Sequence, residues 1–246
     1  MCVSDGLLRF ARYAYPPNER GLCGPDRSHE LAEAIRLGVD DPDVRRLAQG
    51  FDGAWPYLVL LGSHLSKGDP LAERVVDAYW LGEPTGRSVD ISSLGDSLRE
   101  RFGGRSGWSG LRDAIDAGGW PTHAYHVFMV YPWIGLIRSG LVDPGIEVVD
   151  RCRIRQGRVI DVLDDTAIVV SDRLQWNGHS LEVGPTVTET VSIRETGERL
   201  HPGALVSIHW SWICEQISER QAAWLSASQA HHLQLANESG AAVELA

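Results

Sequence analysis

Residues 151–215 carry the pattern that most limits what this chain can fold into: short runs rich in Val, Ile and Thr, separated by turn residues at close intervals. Runs of that length and spacing specify a small antiparallel β-barrel. Asn177-Gly178 reads as a two-residue hairpin turn between Leu174-Gln175-Trp176 and Ser180-Leu181-Glu182-Val183, and Gly184-Pro185 and Thr196-Gly197 read as further turns. Cys152 lies just before the first run and His209 near the end of the last. In a closed barrel of this size the first and last strands are commonly neighbours, so a soft sulfur and a borderline nitrogen could meet on one side and bind a metal. Arg151, Arg153, Arg155 and Arg158 recur on the early strands. They form either a solvated positive face or a patch that meets a carboxylate or an acidic partner.

The same stretch carries a resemblance. Cys152, the run Gly157-Arg158-Val159-Ile160-Asp161-Val162, then Asp164-Asp165 and Ala167-Ile168-Val169, and the strand Pro202-Gly203-Ala204-Leu205-Val206-Ser207-Ile208-His209 resemble the small hydrogenase maturation chaperones of the HypC/HupF type. The resemblance implies an OB-like barrel and an accessory role in metal-centre assembly, with Cys152 and His209 as the pair that holds an iron group or contacts a client protein. The chain departs from that pattern in three ways: Cys152 is internal, Arg155-Gln156 stand where Ile-Pro is usual, and Ala204 replaces Asp. The whole chain also resembles an uncharacterised actinobacterial family with an added helical N-terminal domain, loosely associated with hydrogenase gene neighbourhoods. That second resemblance rests on Tyr13-Ala14-Tyr15-Pro16-Pro17-Asn18, His123-Ala124-Tyr125-His126, Tyr131-Pro132-Trp133 and Arg151-Cys152-Arg153-Ile154-Arg155.

Ahead of the strand-rich stretch the apolar spacing is helical. A helix with Asp5 as N-cap must end before Pro16-Pro17, and a dense turn segment follows as far as Asp26. Further helices open at Ser28 and at Asp41-Pro42, run buried through 53–65, open at Asp69-Pro70, and open at Asp90; Gly38, Gly82 and Gly103-Gly104 supply stops. Asp143-Pro144-Gly145 reads as a turn and as the clearest internal boundary, because the periodicity then changes from helical to alternating. A capping box at Ser218-Glu219-Arg220-Gln221 opens a long final helix. The expectation is an α+β protein: a helical domain over 1–143, a small β-barrel over 146–214, and a C-terminal helix over 215–238 packing back on both.

Residues 119–140 form the other chemically dense stretch. Pro121 opens a helix that Pro132 interrupts, and His123 and His126 share a face at i and i+3. The two histidines serve as ligands or proton carriers, or else as core residues bonded to backbone carbonyls. An aromatic-lined pocket against the barrel would take Tyr125, Tyr131, Trp133 and Trp210 as substrate-binding residues. In that reading Glu19, Cys23, His123, His126 and Glu215 are the acid–base candidates, and a cofactor-independent cyclase becomes feasible. Its reaction would be a Pictet–Spengler type condensation of an indole amine with a carbonyl compound, in alkaloid biosynthesis. Cys23 or Cys152 paired with a histidine would alternatively suit a cysteine hydrolase.

Composition narrows the partners. With a net charge of −10 and no Lys/Arg block, the chain lacks the basic stripe that a phosphate backbone demands, so a nucleic-acid partner is not expected. The expected partner is a client protein or a small aromatic molecule, with a homodimer left open. Cys2, Cys23, Cys152 and Cys214 are scattered without a C-x-x-C pair, and no apolar run reaches the roughly 18 residues of a membrane span. With Asp5 where a secretory leader needs basic residues, the expected setting is cytoplasmic, with reduced thiols and iron as the candidate cofactor.

Overall fold

The computed structural model describes residues 5–38, 42–95, 111–194 and 199–238, in which a helical array leads into five strands and a closing helix. The helices ahead of the strands are α1 (Asp5–Glu19), α2 (Ser28–Leu37), α3 (Pro42–Gln49), α4 (Trp55–Leu65), α5 (Glu73–Leu81), α6 (Leu111–Asp116), α7 (His123–Tyr125), α8 (Trp133–Arg138) and α9 (Val142–Cys152). Their ends follow local chemistry. Gly38 and Gly82 close α2 and α5 at φ 62° and 72°, a left-handed conformation that glycine alone adopts without steric cost. Asp90 accepts a hydrogen bond from the Ser92 N–H at 2.9 Å and opens a short 3-10 turn, Ile91–Leu94. The expected signals at Asp41, Gly103-Gly104 and Thr196-Gly197, and the side chain of Asp5, lie outside the described residues.

Prolines are handled differently from expectation in two helices. α1 does not stop before Pro16-Pro17 but carries both in its last turn, where Pro16, Pro17 and Asn18 are buried. Burial there offsets the two lost N–H donors. Asp143-Pro144-Gly145 is not a turn; it lies in the first turns of α9, where proline's missing N–H would have no helical partner in any case. Gly145 also lets α9 approach α8, since a Cβ there would sit 2.4 Å from Ile137 Cγ1. The change from helix to strand therefore falls at Arg155.

The strands are β1 (Arg155–Leu163), β2 (Thr166–Trp176), β3 (Leu181–Ser192), β4 (Leu205–His209) and β5 (Trp212–Gln216), and they close in the order β1-β2-β3-β5-β4. The sheet is mixed where an antiparallel one was expected: β3 meets β5 in parallel, through Ser192 and Trp212. His209 ends β4 rather than the last strand, and it is β4 that pairs with β1 across the closure, Arg155 opposite Ile208. Gly157 permits that closure, because a Cβ there would lie 2.7 Å from Ile208 Cδ1. Gly184-Pro185 falls inside β3, opposite a register shift between Asp172 and Leu174, so the proline sits at a bulge instead of a turn. The Asn177-Gly178 connection spans four residues, since Trp176 pairs with Leu181, and Asn177 Oδ1 accepts from the N–H groups of His179 at 3.0 Å and Ser180 at 2.9 Å.

Ser218 and Gln221 form the reciprocal capping box (3.0 and 3.2 Å) that opens α10 (Glu219–Glu238), which starts later than the expected residue 215 because Glu215 belongs to β5. α10 packs on both α5 and β1. One apolar cluster runs from Leu7 and Phe10 of α1 through Tyr79 and Val127 to Leu174, Leu181 and Cys214 of the sheet and Leu225 of α10. A second fills the barrel with Val159, Ala167, Val169, Val191, Val206, Ile208 and Ile213. Two of the four arginines at the start of the barrel are not on a solvated face, whereas Arg158 is exposed and Arg151 half-buried. Arg155, 1% exposed, is bidentate to Glu189 at 2.7 Å, and Arg153, 3% exposed, bonds Asp150 at 2.8 Å, so the carboxylates they meet are the protein's own. No helix among the described residues is long and apolar enough to cross a membrane.

Candidate metal centre

Because Arg155 pairs with Ile208, the residues just beyond that pair arrive at the same end of the barrel: Cys152 from the end of α9 and His209 from the end of β4. The helical layer adds His123 from α7. The ligand atoms of His123, Cys152 and His209 all lie within 4.8 Å of one another, and the three residues are buried. α7 passes directly into a π-helical turn, His126–Val130, of the kind that often marks functional sites, and it ends at Tyr131-Pro132 as the sequence implied.

Backbone carbonyls set the tautomers. Pro17 has no N–H, so the Tyr13 carbonyl four residues earlier is left without its helical donor. His209 Nδ1 donates to that carbonyl at 2.7 Å, which leaves its lone pair on Nε2, and Nε2 has no hydrogen-bond partner. His123 Nε2 donates to the Cys152 carbonyl at 2.8 Å, which leaves its lone pair on Nδ1, 3.4 Å from the Tyr79 hydroxyl. Burial pushes His123 down to about 4. Burial, and then the neighbouring His123, hold His209 well below its ordinary value. Both rings are therefore neutral near pH 7, with one nitrogen anchored to a carbonyl and the other bearing a lone pair, the form in which imidazole ligates a metal. Cys152 shifts in the opposite sense: burial, and then the Cys23 sulfur, push its thiol up. A bound cation is what would hold it as thiolate.

A cavity of about 20 Å³ adjoins the group, lined among others by Cys23, Gly53, Tyr79, Trp80, His126 and Tyr131. That is room for a water-sized guest. Trp80 stands 4.8 Å from His123 and 5.9 Å from His209, ring to ring, and Tyr13 stacks on it at 5.4 Å. His126 Nδ1 meets the Tyr57 hydroxyl at 3.2 Å, and burial pushes this ring down to about 3. Gly53 has no room for a side chain, since a Cβ would lie 2.9 Å from His126 Nε2.

The candidates named from sequence divide. Cys23, His123, His126, Tyr131, Cys152 and His209 line this one cavity. Glu215 lies outside it: the carboxylate is buried, takes the Tyr13 hydroxyl at 2.9 Å and Arg9 Nε at 3.0 Å, and so ties the barrel to α1. Glu19 is exposed at the end of α1. Tyr125 is a core residue whose hydroxyl donates to the Ala114 carbonyl at 2.9 Å. Trp133 and Trp210 are half-buried away from the cavity lining, Trp210 in the β4–β5 turn beside Arg20. Tyr79, Trp80, Gly53 and the Tyr13 carbonyl were not singled out from sequence. α5, which carries two of them, has an ordinary amphipathic pattern, and the one available signal was the Pro17 that frees the carbonyl.

No curated protein and no solved structure matches the chain. A family model does match, over residues 2–243, nearly the whole length. The chain belongs to the family of unknown function DUF6390.

Proposed function

We propose that this protein holds a single first-row transition ion, iron foremost, between His123, Cys152 and His209, and that its role is that of an accessory protein keeping such a metal group enclosed. The observation that carries the reading is a buried group of two neutral imidazoles, each with one nitrogen anchored to a carbonyl, and a thiol, with one ligand atom of each residue within 4.8 Å of the others. One sulfur and two nitrogens suit iron, cobalt, copper or zinc and disfavour calcium and magnesium, which take oxygen. The HypC/HupF-like pattern of the barrel, with Cys152 and His209 as its matching pair, supports iron as cargo and metal-centre assembly as setting. Burial of all three residues favours retention of the metal over a pair presented on the surface to a client. When bound, the metal would supply Lewis acidity and an attachment point for a small ligand. The chain's own residues fix the imidazole orientation through the two carbonyls and exclude water with Trp80, Phe51 and Tyr79.

The cofactor-free cyclase reading has the aromatic lining in its favour. A cavity of about 20 Å³ is far below the several hundred Å³ that enclose a molecule of indole-amine size. Histidines at about 4 and about 3 are also poorly matched to proton transfer at neutral pH.

Equilibrium dialysis against Fe(II) without oxygen tests the metal reading. The wild type is expected to retain about one equivalent, and His123→Ala, Cys152→Ala and His209→Ala, each checked for folding by circular dichroism, to lose affinity by at least about tenfold. Folded variants that bind iron as the wild type does would overturn it.

A further inference from the structure

We propose that Cys23 is the exchangeable fourth ligand of this centre, a second thiolate that closes it from the solvent side. The inference rests on the His123–Cys152–His209 reading and concerns how that site is completed. Cys23 and the three inner residues line one cavity, of about 20 Å³; the inner three are buried, whereas Cys23 is half-buried. His209 Nε2, an unpartnered nitrogen on a residue only 1% exposed, borders the same space and marks it as ligand-binding independently of the cysteine.

Charge gives the main argument. A divalent ion held by one thiolate and two neutral imidazoles leaves a net charge of about +1 enclosed among aromatic rings, and a buried unpaired charge is costly. The cavity lining contains no carboxylate; apart from the phenols of Tyr79 and Tyr131, its only other acid is Cys23. A second thiolate brings the site to neutrality and completes the four donors of a tetrahedral centre. The Cys23 sulfur stands outside the group of ligand atoms within 4.8 Å of one another, so it must move inward to bind, but it contributes to raising Cys152, and both raise Tyr79 and Tyr131. Burial, then Asp52, push the Cys23 thiol up to about 11, with the Gly24 N–H working in the other direction as a donor to the sulfur. Asn18 Nδ2 holds the segment in place by donating to the carbonyls of Cys23 and Pro25, both at 2.7 Å. Cys23 sits on a connection between helices and is half-buried where the other three donors are buried, so it is the one that can leave and return as metal enters.

Cobalt(II) is the probe, because thiolate-to-cobalt charge transfer in the near ultraviolet scales with the number of bound sulfurs. Wild type and Cys23→Ser are each loaded with Co(II) under anaerobic conditions, and alkylation of Cys23 by iodoacetamide is followed in the wild type with and without Zn²⁺. The expected result is a charge-transfer intensity about twofold lower in Cys23→Ser, with cobalt still bound, and alkylation slowed at least about tenfold by zinc. Equal intensity in the two proteins, or alkylation indifferent to zinc, overturns the role of Cys23 and leaves the three-residue centre standing. Failure of both proteins to bind cobalt overturns the three-residue centre and this inference with it.

Discussion

Pro17 acts at a distance from its own ring. By withholding a hydrogen bond from the Tyr13 carbonyl, it makes that oxygen available to His209 Nδ1. Pro17→Ala restores a competing N–H donor, so the helix gains a bond while His209 loses its anchor. We expect unchanged or increased thermal stability together with metal binding weakened by about 10- to 100-fold, the range seen when groups that orient metal ligands are removed. Unchanged metal affinity would show that the carbonyl does not position the ring. His232 illustrates the same economy without a metal. Its Nδ1 donates to the Ser228 carbonyl at 2.8 Å and its Nε2 accepts from the Trp120 N–H at 3.0 Å, an arrangement that only the neutral ring satisfies. Burial, then the adjacent His231, push it from its ordinary 6.5 down to about 3. The unfolded chain therefore binds the extra proton. The stability tied to this group is complete above pH 6.5 and is lost as pH falls toward about 3, at roughly 1.4 kcal/mol per pH unit. Urea titrations of His232→Gln between pH 7 and pH 4 should show a pH slope shallower by about that amount; an identical slope would contradict it.

At the scale of elements, the seam between α1 and the barrel is polar. Glu215 of β5 meets Arg9 and Tyr13 of α1, and Arg9 also bonds Asp77 of α5 at 2.6 Å. Removing one member leaves the others buried and unmatched. Glu215→Ala should cost about 3–5 kcal/mol in chemical denaturation while leaving Fe(II) affinity unchanged, because the carboxylate bonds outside the cavity. A loss of metal binding in a folded Glu215 variant would return this residue to the site. The elements also show what could be seen in the sequence. α2, α4 and α5 end where Gly38, Leu65 and Gly82 suggested, since their caps are local chemistry. Asp143-Pro144-Gly145 looks like a turn in the sequence because proline and glycine in the first turns of a helix resemble a break when tertiary contact is invisible, here the approach to Ile137. The β4–β5 turn is made by Trp210, at φ 57°, and Ser211, a pair that no turn rule selects. Cys152 and His209 could be paired from the expected closure of the barrel, whereas His123 joins them only through the packing of the helical layer.

For the whole molecule, the continuity of the larger apolar cluster from α1 to α10 predicts cooperative behaviour. Calorimetry should give one unfolding transition, with agreement between calorimetric and van't Hoff enthalpies; two separated transitions would mean that the barrel and the helical array are stable independently. Because the centre draws on α7, α9 and β4, a bound metal should stabilise the entire fold, by about 2.7 kcal/mol at a hundredfold excess over Kd. The proposed centre puts two imidazoles and a thiol on one metal ion, and X-ray absorption of the zinc-loaded wild type reads those ligands out. The expected spectrum has a sulfur shell at about 2.3 Å together with a nitrogen shell at about 2.0–2.1 Å showing imidazole outer-shell scattering. A zinc ion surrounded by oxygen alone, with no sulfur shell, would contradict it.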